Sequence, residues 1–445
     1  MKKSSQLSLI SQLYAPVIDH STESGSKTIQ GTYSVHIVGE DWGCGVDKVL
    51  IQLDHTLDSI TTKDLVVKER KQVTDWSDKT YPIYKTIVDR QILDAYLCDE
   101  NGERIEKVSQ YIALELYISP NDGSPFLFNM NTQFNTWSVP YDLIISLSKN
   151  AKLFSHGIEV KNLIIDPVLT EKKTNADMFQ INSKKIDQFI YHYATYHPEK
   201  ETDILFVWLH GAGEGGSAVT SPTDPWVTLL ANKVTALAGE KFQSIIGGAH
   251  IFVPQCPTFW MDSDGSGNML GKRHSVYTHS LIQLIDEYIE EIGAKRVIIG
   301  GCSNGGYMTM MLAMECGDKY QAYVPICEAM KDEYISDRDI QILKDLPLYF
   351  VYSKDDDVVP PEDYEIPTIK RLQAAGAQNI HVSTTDHVID TSGKYKDKKG
   401  KPYQYAGHWS WIYFDNDETA DEDGLSAFHW LSQVIKSYEN SSENH

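Results

Sequence analysis

Residues Gly301-Cys302-Ser303-Asn304-Gly305 lie between an apolar run, Arg296–Gly300 (RVIIG), and a segment with helical spacing that starts at Asn304. A serine at the apex of a strand-to-helix turn needs a strained backbone, and the positions two residues away on each side must be small. Gly301 and Gly305 meet that need. Such a turn presents the Ser303 hydroxyl and leaves the Asn304 amide at a helix N-terminus, where it can receive negative charge. The placement predicts a nucleophile elbow on a parallel sheet. A coincidental glycine-rich turn would lack the flanking strand and helix. Cys302 occupies the second position of the pentapeptide, where the side chain points away from the apex, so it is not read as the nucleophile.

The rest of the second half has the rhythm this elbow requires. Ile204–Leu209 (ILFVWL), Ile251–Pro254, Arg296–Gly300 and Leu348–Tyr352 read as buried strands. Pro225–Ala238, Val276–Ile292 and Asn304–Glu315 read as helices. This alternation predicts an α/β fold with a mostly parallel central sheet flanked by helices. The Met308, Met311, Leu312 stripe has helical spacing and is expected to pack against the sheet. The first half differs. Lys48–Asp54, Tyr111–Ser119, Val139–Leu147 and Ile158–Ile165 read as strands, with turn signals at Asn101-Gly102 and Pro120–Gly123. Short strands without long helices predict an all-β sandwich. Asp166-Pro167 is taken as the boundary, giving a β-sandwich over 1–166 and an α/β domain over 167–445. The C-terminal SYENSSENH is expected to fray.

A serine hydroxyl is a weak nucleophile and needs a base with an orienting carboxylate. In a fold with this elbow the chain order is serine, acid, histidine. Asp355, Asp356 and Asp357 follow LYFVYSK, and spacing alone does not choose among them. His408, in YAGHWSW, suits the base; His387, in TDH, is the competitor. Directly after ILFVW, LHGAGEGG offers a loop whose small residues let backbone amides approach an oxyanion. The Ala212 amide is favoured, with Gly213 next, and His210 is expected to pin the loop. A phosphate loop is the rival reading, but the terminal Lys-Ser/Thr is missing. Trp260 and Trp409 are candidates to line the substrate pocket, or else to pack. Glu328 would face the mouth or form a surface salt bridge. Asp262–Gly267 imitates the start of a calcium loop, but its twelfth position is Arg273, where a bidentate glutamate is needed. No HExxH occurs.

These residues together resemble the α/β-hydrolase superfamily. The chain is most similar to bacterial two-domain esterases and predicted peptidases with a prolyl-oligopeptidase-like catalytic domain behind an immunoglobulin-like domain. In the first half the resemblance rests on Gly39-Glu40-Asp41-Trp42-Gly43 with Val46 and Lys48-Val49. In the second half it rests on LHGAGEGG, VPQCP at Val253–Pro257, GCSNGG, DDDVVP and GHWSW. It implies an immunoglobulin-like β-sandwich before the hydrolase domain. It also implies a triad of Ser303, Asp356 and His408, with the Ala212 and Asn304 amides as oxyanion hole. The segment from Val388 to Gly407 is longer than the resemblance implies.

The expected function is a serine carboxylesterase acting on a small-molecule or polymer-derived ester, without cofactor or metal. A serine peptidase with the same triad is the alternative, and an inactive polymer- or carbohydrate-binding homologue is a third reading. The net charge of −22 argues against nucleic acid as a partner, and against an anionic membrane. No run of about 18 apolar residues occurs, so membrane insertion is not expected. The lysines of MKKSSQLSLI precede no apolar signal core, and the six scattered cysteines form neither a disulfide framework nor a zinc motif. Reduced thiols in the cytoplasm are the expectation, with secretion left open. Self-association into a homo-oligomer through the β-domain is a further expectation.

Overall fold

The computed structural model of the chain describes residues 27–216 and 226–442. The lysine-led N-terminal segment and Pro225 lie outside the described residues.

The first half forms two facing sheets. One has six strands in the order Phe154–Ser155, Ile158–Thr174, Lys27–Glu40, Gly43–Leu57, Ser109–Leu116 and Ile92–Cys98. The other has Ile83–Arg90, Leu65–Thr74 and Asp142–Leu147. Alternation drives the packing: Ile112 and Leu114 are buried on one face, as are Val49 and Ile51 opposite them. The run read as a strand over Tyr111–Ser119 ends at Leu116, leaving Ile118 past the end of the strand. The sheets are tied by the Leu143 amide, which donates to the Tyr33 hydroxyl at 2.8 Å. Arg90 and Glu69 form a buried ion pair at 3.0 Å. The strand Ile158–Thr174 does not stop at Asp166; it runs through Pro167 beside Lys27–Glu40, pairing as far as Ile37 with Thr174. Proline is tolerated there because the residues around it face solvent.

The second half is built on eight strands, numbered here within this sheet. They are β1 (Gln180–Ile186), β2 (Phe189–Tyr196), β3 (Ile204–Leu209), β4 (His250–Gln255), β5 (Arg296–Cys302), β6 (Ala322–Ile326), β7 (Leu348–Ser353) and β8 (Ile380–Thr385). Their order is β1-β2-β4-β3-β5-β6-β7-β8. β2 is antiparallel to both neighbours, and the rest are parallel. All six residues of β3 are buried, as expected of a strand covered on both faces. The helix Thr278–Ile292 buries Leu281, Leu284, Ile285 and Tyr288 at helical spacing and ends at Gly293 in the left-handed region. The helix Asn304–Cys316 is buried along nearly its whole length, with Met308, Met311 and Leu312 in the core.

The region read as one helix, Pro225–Ala238, is two short pieces, Trp226–Leu230 and a 3-10 turn at Val234–Ala238. The C-terminal helix Ala427–Ser442 runs through most of the tail expected to fray. The two halves share one continuous apolar core. Around its edge Lys233 donates to Asp41 at 2.9 Å and to Asn416 at 2.8 Å. The long segment 388–407 folds back on itself through paired bridges and docks on the sandwich, with Tyr395 edge-on to Trp42 and Lys394 paired to Glu40.

Candidate active site

Parallel strands direct their C-terminal ends to one edge of the sheet, and loops there can place side chains from distant parts of the sequence together. β5, β7 and the loop after β8 do so here. Ser303 sits between β5 and the helix Asn304–Cys316 with φ 55° and ψ −115°. That left-handed backbone is costly for a serine, on the order of 1–3 kcal/mol, and must be held by its surroundings. The Ser303 amide donates to Ile326 at 2.9 Å, and its carbonyl accepts from Tyr307 at 2.9 Å. The steric reading of the glycines is met. A Cβ on Gly301 would stand 2.6 Å from the Leu209 carbonyl oxygen, and one on Gly305 would overlap the same atom.

The Ser303 hydroxyl lies 2.8 Å from His408 Nε2. His408 Nδ1 lies 2.7 Å from Asp356 Oδ2. The other oxygen of Asp356 accepts from the Val358 and Val359 amides, each at 2.9 Å. Those two bonds fix the carboxylate and leave Oδ2 for the imidazole. Ser303 Oγ can donate to Nε2 only if the proton sits on Nδ1, facing Asp356. Both His408 and Asp356 are buried. The turn Gly407–Trp409 carries His408, and a Cβ on Gly407 would overlap the Asp355 backbone. The competitor His387 instead pairs with Asp355 at 2.7 Å on the surface. Asp357 is exposed.

The loop after β3 abuts the elbow, since a Cβ on Gly305 would also reach the His210 carbonyl oxygen. Ala212–Glu214 form a 3-10 turn. His210 Nδ1 donates to the Gly211 carbonyl at 2.6 Å, and its Nε2 accepts from the Cys256 amide at 2.9 Å. Burial pushes its imidazole down to about 4, so it is neutral and pins the loop. Burial, then the charges of Glu214 and Asp415, push the Cys302 thiol up, so it stays protonated and inert.

Of the aromatic candidates, Trp409 is half-buried beside His408, stacked on Tyr405 with centroids 6.0 Å apart. Trp260 is 0 % exposed and packs behind the loop on His210 and Tyr277. It offers no surface to a substrate, because the whole indole has been drawn into the core. Glu328 is neither at the surface nor in a salt bridge. It is fully buried behind the elbow, where it accepts from the Met330 amide at 2.6 Å. Burial, with Glu365 beside it, pushes its carboxyl well above the usual range. Asp262 is occupied by its own turn, accepting from the Gly265 amide at 2.8 Å and the Gly267 amide at 2.9 Å.

Three further residues at the site escaped the sequence reading. Glu214 is buried inside the loop after β3, and Asn135 and Asn232 each donate to its carboxylate. The available signal was a lone carboxylate among small residues in GAGEGG.

Sheet order, elbow and site edge define an α/β hydrolase. Residues 32–151 match the model of the esterase Ig-like N-terminal domain, and residues 191–365 match that of the phospholipase/carboxylesterase family. The chain is thus a hydrolase in which an esterase-type Ig-like domain precedes a domain similar to the phospholipase/carboxylesterase family. A solved thermostable esterase shares 22% identity at a TM-score of 0.64, over 92% of this chain and 99% of that one. A ferulic acid esterase (13% identity, TM-score 0.39) spans 57% of this chain and 97% of its own. Est1E from Butyrivibrio proteoclasticus (13%, 0.31) spans 46% and 88%. Curated protein sequences give no significant match.

Proposed function

We propose that the protein is a serine carboxylesterase that works through an acyl-enzyme. The observation that carries this reading is the unbroken run of hydrogen bonds from Asp356 through His408 to Ser303. Ser303 Oγ attacks the ester carbonyl while His408 Nε2 takes its proton. Asp356 keeps the imidazole in the required tautomer and stabilises the cation that forms. The Ala212 and Asn304 amides donate to the oxyanion. The intermediate collapses, the C–O bond to the alcohol breaks, and His408 returns the proton to the leaving oxygen. Water then attacks the acyl-enzyme by the same route, releasing the acid and restoring Ser303.

The test has two arms. A fluorophosphonate should label Ser303, read by mass spectrometry. Ser303→Ala should lower kcat on a short p-nitrophenyl ester by a factor on the order of 10⁴–10⁶. Parent-level turnover by that variant would remove the reading.

A further inference from the structure

We propose that Glu214 is a positioning residue through which the β-sandwich holds the oxyanion loop in register with Ser303. This deepens the esterase reading and rests on it. The 3-10 turn that carries Ala212 is weakly held by its own backbone. Its closing bonds are long, 3.4 Å from the Glu214 amide to the Gly211 carbonyl and 3.2 Å from the Gly215 amide to the Ala212 carbonyl. Bonds of that length fix orientation poorly. The side chain of Glu214 supplies what the backbone lacks.

Three pieces of chain converge on its carboxylate. From the sandwich, Asn135 Nδ2 donates to Oε1 at 3.0 Å. From the segment after the helix Trp226–Leu230, Asn232 Nδ2 donates to Oε2 at 3.3 Å. From its own loop, Gly211 lies so close that a Cβ there would stand 3.0 Å from Oε2. The neighbouring glycines admit the sandwich. A Cβ on Gly213 would stand 2.7 Å from Asn135 Nδ2, and one on Gly215 would stand 3.1 Å from the Phe134 ring.

Asn135 is itself on a firm support. It belongs to the hairpin strand Phe134–Trp137, paired with Phe126–Asn129. That hairpin is anchored to the sandwich where Thr74 Oγ1 donates to the Phe128 carbonyl at 2.6 Å. It is clamped to the hydrolase half where Phe134 stacks on Phe259, centroids 4.8 Å apart. The route from sandwich to Ala212 is therefore hairpin, Asn135, Glu214 and two residues of turn. The groups that face the carboxylate are amides and the buried Cys302 thiol, which also lies near Asn232. Burial pushes the carboxyl up to about 7, against the hydrogen bonds that favour its charge.

The experiment uses the full chain and four variants, Asn135→Ala, Glu214→Ala, Glu214→Gln and the double variant Asn135→Ala/Glu214→Ala. It reads kcat and KM on a short p-nitrophenyl ester, Kd for an alkyl boronic acid that forms a tetrahedral adduct on the serine, and the thermal midpoint. Outright loss of an oxyanion donor costs 10²–10³ in kcat, so a loosened donor should cost less, about tenfold for Asn135→Ala. KM should stay within about twofold, and boronate Kd should rise by the same factor as kcat falls. Glu214→Ala should cost more. Glu214→Gln should fall between, because the Asn135 amide can turn its oxygen to the new NH₂. The double variant Asn135→Ala/Glu214→Ala should be no worse than Glu214→Ala alone, since both act on one route. If Asn135→Ala keeps parental kcat and boronate affinity, the proposal fails. It fails equally if the variants lose thermal stability while kcat per folded molecule is unchanged. Either result leaves fluorophosphonate labelling of the parent intact, so it would spare the esterase reading.

Discussion

Asp355 and Asp356 are adjacent, and each holds a histidine at 2.7 Å. In the pair with His408 the side chains are 0 % and 10 % exposed; in the pair with His387 they are 29 % and 58 % exposed. The far nitrogen of His408 meets the hydroxyl of Ser303. The second oxygen of Asp355 is spent on Ser353. Acid–histidine distance thus says nothing about role. What separates the pairs is burial, which strengthens the carboxylate's hold on an imidazolium, and a third partner held in a strained turn.

The largest expected effect breaks the comparison if it falls on the wrong histidine. His408→Ala should reduce kcat on a p-nitrophenyl ester by a factor on the order of 10⁴–10⁶. His387→Ala should stay within about twofold, since this surface pair makes no hydrogen bond to the nucleophile and stabilises no transition state. Steady-state kinetics on the two variants side by side is enough. Comparable losses in both would mean that burial is not the discriminator.

The aspartates give a smaller contrast. Asp356→Asn keeps the shape but presents an NH₂ to Nδ1, favouring the wrong tautomer, and should cost about 10⁴ in kcat. Asp355→Asn should leave kcat near the parental value. A reversal would move the acid to the neighbouring residue and with it the path of the proton.

Much of this was legible in the sequence where one residue pattern has one structural cause. The continuous apolar run ILFVWL is β3 to the residue, and Gly301 and Gly305 mark the elbow because nothing larger fits against Leu209. The strands Gln180–Ile186 and Phe189–Tyr196 were not seen, because they are half-exposed and polar on one side. The first-half strand Lys27–Glu40 was missed for the same reason. Its polar residues hide an alternation that only pairing on both sides makes decisive. The long segment 388–407 read only as longer than the resemblance implies. It instead leaves the hydrolase half for the sandwich, a choice made by Trp42 and Glu40 from more than 300 residues away in sequence. The choice among three aspartates needed the fold as well, since only the turn at Val358 and Val359 aims one of them inward.

Glu214 sharpens the contrast, being buried like Asp356 but met by amides and no histidine. Its carboxyl stands at about 7 in the folded chain against 4.5 for an ordinary glutamate, chiefly through burial. The folded state therefore prefers the protonated form. The stability it contributes is complete below about pH 4.5 and is lost as pH rises to about 7. At 1.36 kcal/mol per unit the loss is on the order of 3 kcal/mol. Denaturant unfolding across that window should show the parent losing this amount relative to Glu214→Gln, whatever fixed offset the substitution adds. A pH-independent difference would place the carboxylate in a wetter setting than its contacts imply.

The smallest effect belongs to the surface pair and runs the other way. Partial burial pushes the Asp355 carboxyl up, but hydrogen bonds from Ser353 and His387 outweigh it and hold the group below the ordinary value. The folded state here prefers the charged form, so its contribution exists above the unfolded value of about 3.8 and disappears as pH falls through the lower folded value. Solvent screens the pair, and exposed ion pairs give about 0–1 kcal/mol. His387→Ala should accordingly destabilise the chain by less than about 1 kcal/mol at pH 7, and the difference should shrink as pH falls below the unfolded value of about 3.8 and in high salt. A loss that persisted at low pH would have to come from the ring's packing, leaving charge with no part in this pair. The contrast with His408, whose removal should be felt in kcat far more than in stability, would then rest on burial and the serine alone.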